Sequence, residues 1–183
     1  MTKVKKGIEH YFDIIKAIEK RKKVDFIHTN YFNNEKKTKI VSPLGLKEFK
    51  GFWYLIAKDK DSEGIKAYGL DRITDLSVLI HENAELVKDF DINEYYKDCY
   101  GIVKFPDEKP QEIKIWATSI KASYYRANPL HESQKEIEIK DTHSIFSIFV
   151  CLTYDLQQEI RSHGENEVRI IEPKNAMDKV RYK

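Results

Sequence analysis

The six histidines, His10, His28, His81, His131, His143 and His163, are the residues best suited to hold a transition metal in this chain of 183 residues. No two of them stand four residues apart, and none keeps the H-x-E and C-x-x-C context that a tetrahedral zinc site needs. Cys99 and Cys151 form no C-x-x-C pair, which excludes a disulfide framework and a cysteine-ligated zinc and suits a reducing cytosol. Cys99 could act as a nucleophile only beside a base, and the sequence identifies none. Seven glycines include no phosphate-cradling loop and no G-x-S-x-G elbow. No pair of carboxylates sits in an apolar context that would drive their pKa values apart. These residues predict no catalytic group, no metal and no cofactor. What stands out instead is a run of aromatics, Phe52-Trp53-Tyr54-Leu55, followed by Gly69-Leu70-Asp71-Arg72-Ile73.

Charge is nearly balanced, 32 Lys and Arg against 30 Asp and Glu, so the whole chain makes no electrostatic bid for nucleic acid or membrane. Its distribution is uneven. Residues 1–50 carry 13 basic and 6 acidic side chains, whereas residues 51–100 carry 6 and 11. The basic first quarter either attracts phosphates locally or is a solvated helix face followed by a lysine-edged strand. The longest apolar stretch, Ile145 to Leu152, is interrupted by Ser147 and too short to span a bilayer. Glu9, His10 and Asp13 break the apolar residues of the N-terminus, so no signal peptide is expected and the chain reads as soluble and cytoplasmic.

These residues must be positioned by the periodic segments around them. Ile8, Phe12, Ile15 and Ile18 share a stripe at helical spacing, and the Lys20-Arg21-Lys22-Lys23 run suits a helix C-terminus, which predicts a helix from about Val4 to Arg21. The period then becomes two. Val24 to Tyr31 is a strand, Asn33-Asn34 a hairpin turn, and Lys37 to Ser42 a second strand stopped by Pro43. Gly45 and Gly51 bracket a connection to a third strand, Phe52 to Lys58. Asp59 to Gly64 is a polar turn before strands Ile65–Tyr68 and Ile73–Ile80, with Gly69 a bend between them. One helix and five short antiparallel strands predict a small SH3-like barrel. Asp91 and Glu94 form a capping-box pattern for a short helix over Ile92 to Asp98, and Phe105 to Pro110 is loop. A strand from Glu112 to Ala117 follows, then a helix from Ile120 to Arg126 capped by Ser119. Strands Lys135–Lys140 and Ser144–Leu152 come next, then a helix from Leu156 to His163 capped by Asp155 and closed at Gly164, and a last strand, Val168–Ile171, stopped by Pro173. The order is β-α-β-β-α-β, the ferredoxin-like arrangement. The expected fold is therefore α+β, with a first domain over residues 1–82, a linker with a short helix over 83–110 and a second domain over 111–183.

The stretch VSPLGLKEFKGFWYLIAKDK…IKAYGLDRITDLSVL resembles the WYL domain, named for the tripeptide that here is Trp53, Tyr54 and Leu55. Pro43 and the Leu70–Ile73 stretch fall in the order that family shows. The second half is similar to the extension that often follows a WYL domain, through Pro129-Leu130-His131, Ser133-Gln134, Gly164 and Ile171-Glu172-Pro173. The resemblance implies an Sm-like, five-stranded barrel followed by a ferredoxin-like extension in a transcriptional regulator that senses nucleotide or nucleic acid and dimerises. Such modules usually follow a winged helix-turn-helix, for which there is no room before the barrel here. Where the family usually carries Tyr, Arg and a further basic residue, this sequence has His28, Lys66 and Gly69, which weakens bidentate phosphate recognition.

The expected ligand-binding set is His28, Tyr31, Ser42, Tyr54, Lys66 and Arg72, on or beside the strands of one face, where rings can stack on bases and cations can meet phosphates. Alternation puts Trp53 and Leu55 together in the core and turns Tyr54 the other way. Arg72 either meets a ligand or pairs with Asp71 or a carbonyl, and Ser42 either contacts a ligand or simply ends a strand. Arg126, Arg161 and Arg169 either serve the same ligand or are solvated surface. The expected function is the sensing or effector portion of a WYL-type regulator, with a nucleotide or single-stranded nucleic acid as partner, as a homodimer, without sequence-specific duplex recognition. The alternative is a dimerisation and protein-interaction module with no small ligand.

Overall fold

Strands with burial that alternates most regularly in Lys22–Thr29, Gln111–Thr118 and His143–Val150 build two antiparallel sheets, one in each half of the chain. The computed structural model describes residues 6–60, 64–104 and 107–177, and the chain divides into two units, Met1–Glu94 and Tyr95–Lys183.

In the first unit a 3-10 turn, Ile8–His10, leads into α1 (Tyr11–Glu19), whose Ile14 and Ala17 are buried. The expected helix start at Val4 lies outside the described residues. Strands β1 (Lys22–Thr29), β2 (Lys36–Phe49), β3 (Phe52–Asp59), β4 (Ile65–Gly69) and β5 (Ile73–Asn83) form one sheet in the order β4-β3-β2-β1-β5. No ladder joins β4 to β5 among the described residues, whose five strands form one antiparallel sheet. Of the expected turn from Asp59 to Gly64, residues 61–63 lie outside the described residues.

Pro43 does not stop the second strand. The β1 ladder on β2 ends at Val41, opposite Val24. From there β2 pairs only with β3, through a register shift between Pro43 and Gly45. A proline is tolerated at a bulge, beyond the reach of the second neighbour, because its missing N–H leaves no ladder bond unmade there. The core holds Val24 and Phe26 of β1, Val41 of β2, Leu55 and Ala57 of β3, Tyr68, Leu70 and Ile73, with Ile14 and Ala17 of α1. Trp53 packs against it, edge-on to Tyr11. Residues past β5 fold back onto the sheet: the Glu85 N–H donates to Ser42 Oγ at 2.8 Å and Lys58 Nζ lies 2.6 Å from Glu85.

The short helix α2 (Ile92–Tyr96) is capped as its sequence predicts, Asp91 Oδ1 accepting from the N–H groups of Asn93 and Glu94. In the second unit Tyr96, Cys99 and Ile102 are buried, and Cys99 bridges to Cys151 through backbone pairing. Residues 105–106 of the expected loop lie outside the described residues. Strands and helices then follow as β6 (Gln111–Thr118), α3 (Ser119–Ala127), β7 (Lys135–Ile139), β8 (His143–Val150), α4 (Tyr154–His163) and β9 (Val168–Glu172). The sheet order is β7-β8-β6-β9, antiparallel throughout. Ile113, Ile115, Phe146, Ile148, Leu156, Ile160 and Val168 make its core.

Both expected helix caps move by one or two residues. Thr118 caps α3, accepting from the Lys121 N–H, and Thr153 caps α4, accepting from the Leu156 N–H. Ser119 and Asp155 are then already inside the first turns. Asp155 is used elsewhere: its Oδ2 accepts from the N–H groups of Ile102 and Val103 at 2.7 and 3.0 Å. A carboxylate satisfies two orphan backbone donors better than a threonine hydroxyl, which can accept the single bond a cap requires.

Candidate functional site

The inner face of the first sheet becomes charged at one end. Alternation that places Val24 and Phe26 in the core puts His28 on the same face of β1, and Lys39 precedes Val41 on the core face of β2. Asp59, two residues beyond Ala57, is buried to 1% exposure. Its Oδ2 receives the Tyr68 hydroxyl at 2.6 Å and the Lys39 ammonium at 3.0 Å. The His28 ring stands edge-on to Tyr68 at 5.3 Å, and its buried Nε2 has no hydrogen-bond partner. Burial, and then the positive charges of Arg72 and Lys39, hold His28 below its ordinary pKa of 6.5.

Around the corner, at the 3-10 turn Leu70–Arg72, a second group forms. The Tyr31 hydroxyl donates to the Asp71 carbonyl at 3.0 Å, and the Arg72 guanidinium carbon lies 5.7 Å from the Tyr31 ring centre. Burial and the neighbouring Asp71 carboxylate push the Tyr31 phenol above its ordinary pKa. Tyr54 of β3 sits directly opposite Gly69 of β4, so both face the same side. A Cβ on Gly69 would lie 2.6 Å from Asp71 Oδ1 and 2.8 Å from Arg72 Nε. The glycine therefore leaves the space that the guanidinium occupies. Arg72 Nε is 3.8 Å from Asp71 Oδ1, too long for a tight fork, and the side chain keeps 31% exposure.

The six expected site residues therefore divide. Arg72 lies against Tyr31 and over Gly69, the register partner of Tyr54, with His28 close enough to feel the charge of Arg72. Lys66 is half-buried on the inner face, opposite Ala57 and on the Tyr68 side of β4. Ser42 is not brought to the group: it is 3% exposed and its hydroxyl holds the Glu85 backbone. Lys39, Asp59 and Tyr68 are missed by the sequence reading. Their only signal is a charged residue at the core phase of two strands, which period alone does not separate from a strand end.

The extension's arginines are engaged locally. Arg126 forks onto Glu136, with bonds as short as 2.6 Å, Arg161 donates to the Met177 carbonyl, and Arg169 stacks 3.7 Å over the Trp116 ring. Pro129-Leu130-His131 and Ser133-Gln134 form a tied turn. Gln134 bonds the Leu130 N–H and the Tyr125 carbonyl, and His131 Nε2 donates to the Lys97 carbonyl. Among the described residues no group of three His, Cys, Asp or Glu is set to hold a metal ion, and no helix is long and apolar enough to cross a membrane.

Residues 9–78 match the WYL domain model, and this part of the chain is a WYL domain. No curated protein matches the chain. Among solved structures it is similar to the proteasome accessory factor B/C (PafBC) of Arthrobacter aurescens, at 18% identity and a TM-score of 0.48 over 96% of this chain and 26% of that one. It is also similar to a CRISPR Cas-related protein in a crystal structure, at 14% identity and a TM-score of 0.51 over 94% of this chain and 48% of that one. The chain thus spans about a quarter and about half of these two proteins. The second likeness extends the shared fold over nearly the whole chain.

Proposed function

We propose that this chain is the sensing portion of a WYL-type transcriptional regulator and binds a nucleotide or single-stranded nucleic acid at the Tyr31–Tyr54–Arg72 group. The carrying observation is the partly exposed Arg72 guanidinium, held beside Tyr31 and over Gly69, the register partner of Tyr54, and only loosely paired with Asp71. Arginine supplies the planar donor fork a phosphate accepts, and a tyrosine ring supplies a stacking surface for a base. In this proposal the first unit is an Sm-like barrel, a reading favoured by the strand order β4-β3-β2-β1-β5. The second is a ferredoxin-like extension, favoured by the order β7-β8-β6-β9. The protein is cytoplasmic, acts without catalysis and works as a homodimer, with duplex recognition left to another domain or chain.

The test is binding of a fluorescent single-stranded oligonucleotide at several salt concentrations. Arg72→Ala should weaken binding and lower the salt slope by about one counterion. Tyr54→Ala should weaken it by about 1–3 kcal/mol and leave the slope unchanged. Two variants that melt and bind like the parent would refute the site. A parent that binds nothing but dimerises tightly would favour the interaction-module alternative.

A further inference from the structure

The second unit contains a cavity of about 360 Å³ between α3 and α4, independent of the nucleic-acid site proposed above. Tyr124 and Tyr125 of α3, Tyr100, and Pro129 and Leu130 supply its rings and apolar walls. Its anion is Glu159 of α4, whose side chain is 17% exposed. The Tyr100 hydroxyl hydrogen-bonds this carboxylate, and His163 Nε2 lies 3.2 Å from Oε1. Tyr125 is 6% exposed, and its buried hydroxyl has no hydrogen-bond partner although it sits within the field of Glu159. Of the other ionisable groups in the lining, His163 faces Glu159 itself and Lys121 is tied to Glu167 at 3.1 Å. Ala127 and Asn128 also line the cavity, which brings the negative end of the α3 dipole to it.

Three tyrosines, a sequestered carboxylate and a helix C-terminus share one electrostatic preference. Ring faces carry negative quadrupole charge and attract cations, the carboxylate accepts charge-assisted hydrogen bonds, and the helix end reinforces both. Phosphate or carboxylate ligands are disfavoured by the same groups. The size is that of a pocket for a small organic molecule. We propose that this cavity is a binding site for a small organic cation, an amine or amidinium on a flat apolar body. The charged head meets Glu159, the body lies against Tyr100 and Tyr124, and the Tyr125 hydroxyl gains its missing partner.

Benzamidine and its neutral isostere benzamide test this on the whole chain, by titration followed through tyrosine fluorescence and NMR. Benzamidine should bind saturably near or below about 1 mM, and benzamide at least about tenfold more weakly. Glu159→Gln keeps the shape and removes the charge. It should bring benzamidine down to the level of benzamide while benzamide itself is unaffected. Tyr125→Phe should cause a smaller loss. Equal binding of the two probes to the parent, or no saturable binding of either, overturns the proposal. That comparison needs no variant, so it holds even if Glu159→Gln lowers the melting temperature. Oligonucleotide binding by Arg72→Ala reports separately on the first unit.

Discussion

Apart from Ser42, whose hydroxyl holds the Glu85 N–H, the buried polar groups compared in the two units have different partners. In the second, buried Thr153 caps α4 and donates to the Tyr100 carbonyl, Gln157 donates to the Ala176 carbonyl, and Asp155 holds the Ile102 and Val103 N–H groups. Each ties a connecting segment to the core and satisfies a backbone group that would otherwise be orphaned. In the first unit, the Asp59 carboxylate meets the side chains of Lys39 and Tyr68, next to a histidine whose buried nitrogen has no partner. Here side chains from three strands meet one another. A buried ion pair is weak evidence for stability, since apolar residues of the same volume often do as well. This cluster is therefore the place in the first sheet where stability and binding can be tested apart.

Breaking the ion pair by one partner should give the largest effect. Asp59→Ala leaves the Lys39 ammonium, 20% exposed, without its carboxylate and should cost about 3–5 kcal/mol in urea unfolding. The double variant Lys39→Met with Asp59→Leu should recover most of that stability while oligonucleotide binding falls. A double variant as unstable as the single one would show the cluster to be structural and erase the contrast.

Asp155→Ala sharpens the other side. Losing two backbone bonds should cost about 1–3 kcal/mol in unfolding, with oligonucleotide affinity unchanged. A loss of affinity in the folded variant would mean that the extension takes part in the site.

The smallest effect is a pH dependence from His28. Its folded pKa lies below 6.5, first through burial and then through Arg72 and Lys39. The unfolded chain therefore binds this proton more readily. Stability is unaffected by His28 well above 6.5 and declines as the pH falls from there toward the folded value. Melting temperatures of the parent and His28→Phe between pH 8 and 5 should diverge below 6.5, the variant losing less. Parallel curves would count against a desolvated His28.

Much of this was legible in the sequence. The Val24–Phe26–His28 alternation, the Trp53–Leu55 core phase and the β-α-β-β-α-β order follow from local period. Side chains on a strand or helix reach one face by geometry alone. The WYL tripeptide and Leu70–Ile73 placed the first unit in its family. Membership of the site was only partly legible. Arg72 reaches Tyr31 and the strand position opposite Tyr54 because the turn after Gly69 folds it back over the glycine, which no spacing rule states. Ser42 left the set because residues past β5 return to claim its hydroxyl, a partner 43 positions away.

What the sequence determined by itself is the succession of elements and the face each residue takes, since both depend on neighbours within a few positions. Tertiary structure decided which threonine caps each helix, how β2 continues through Pro43, and which charges are buried together. Asp155 could have capped α4 until the Ile102 and Val103 N–H groups arrived from about 50 residues earlier, and Pro43 could have ended a strand had β1 extended past Val41. Those outcomes turn on competition between partners far apart in the chain, and a hydrogen bond goes to whichever partner the fold brings within about 3 Å.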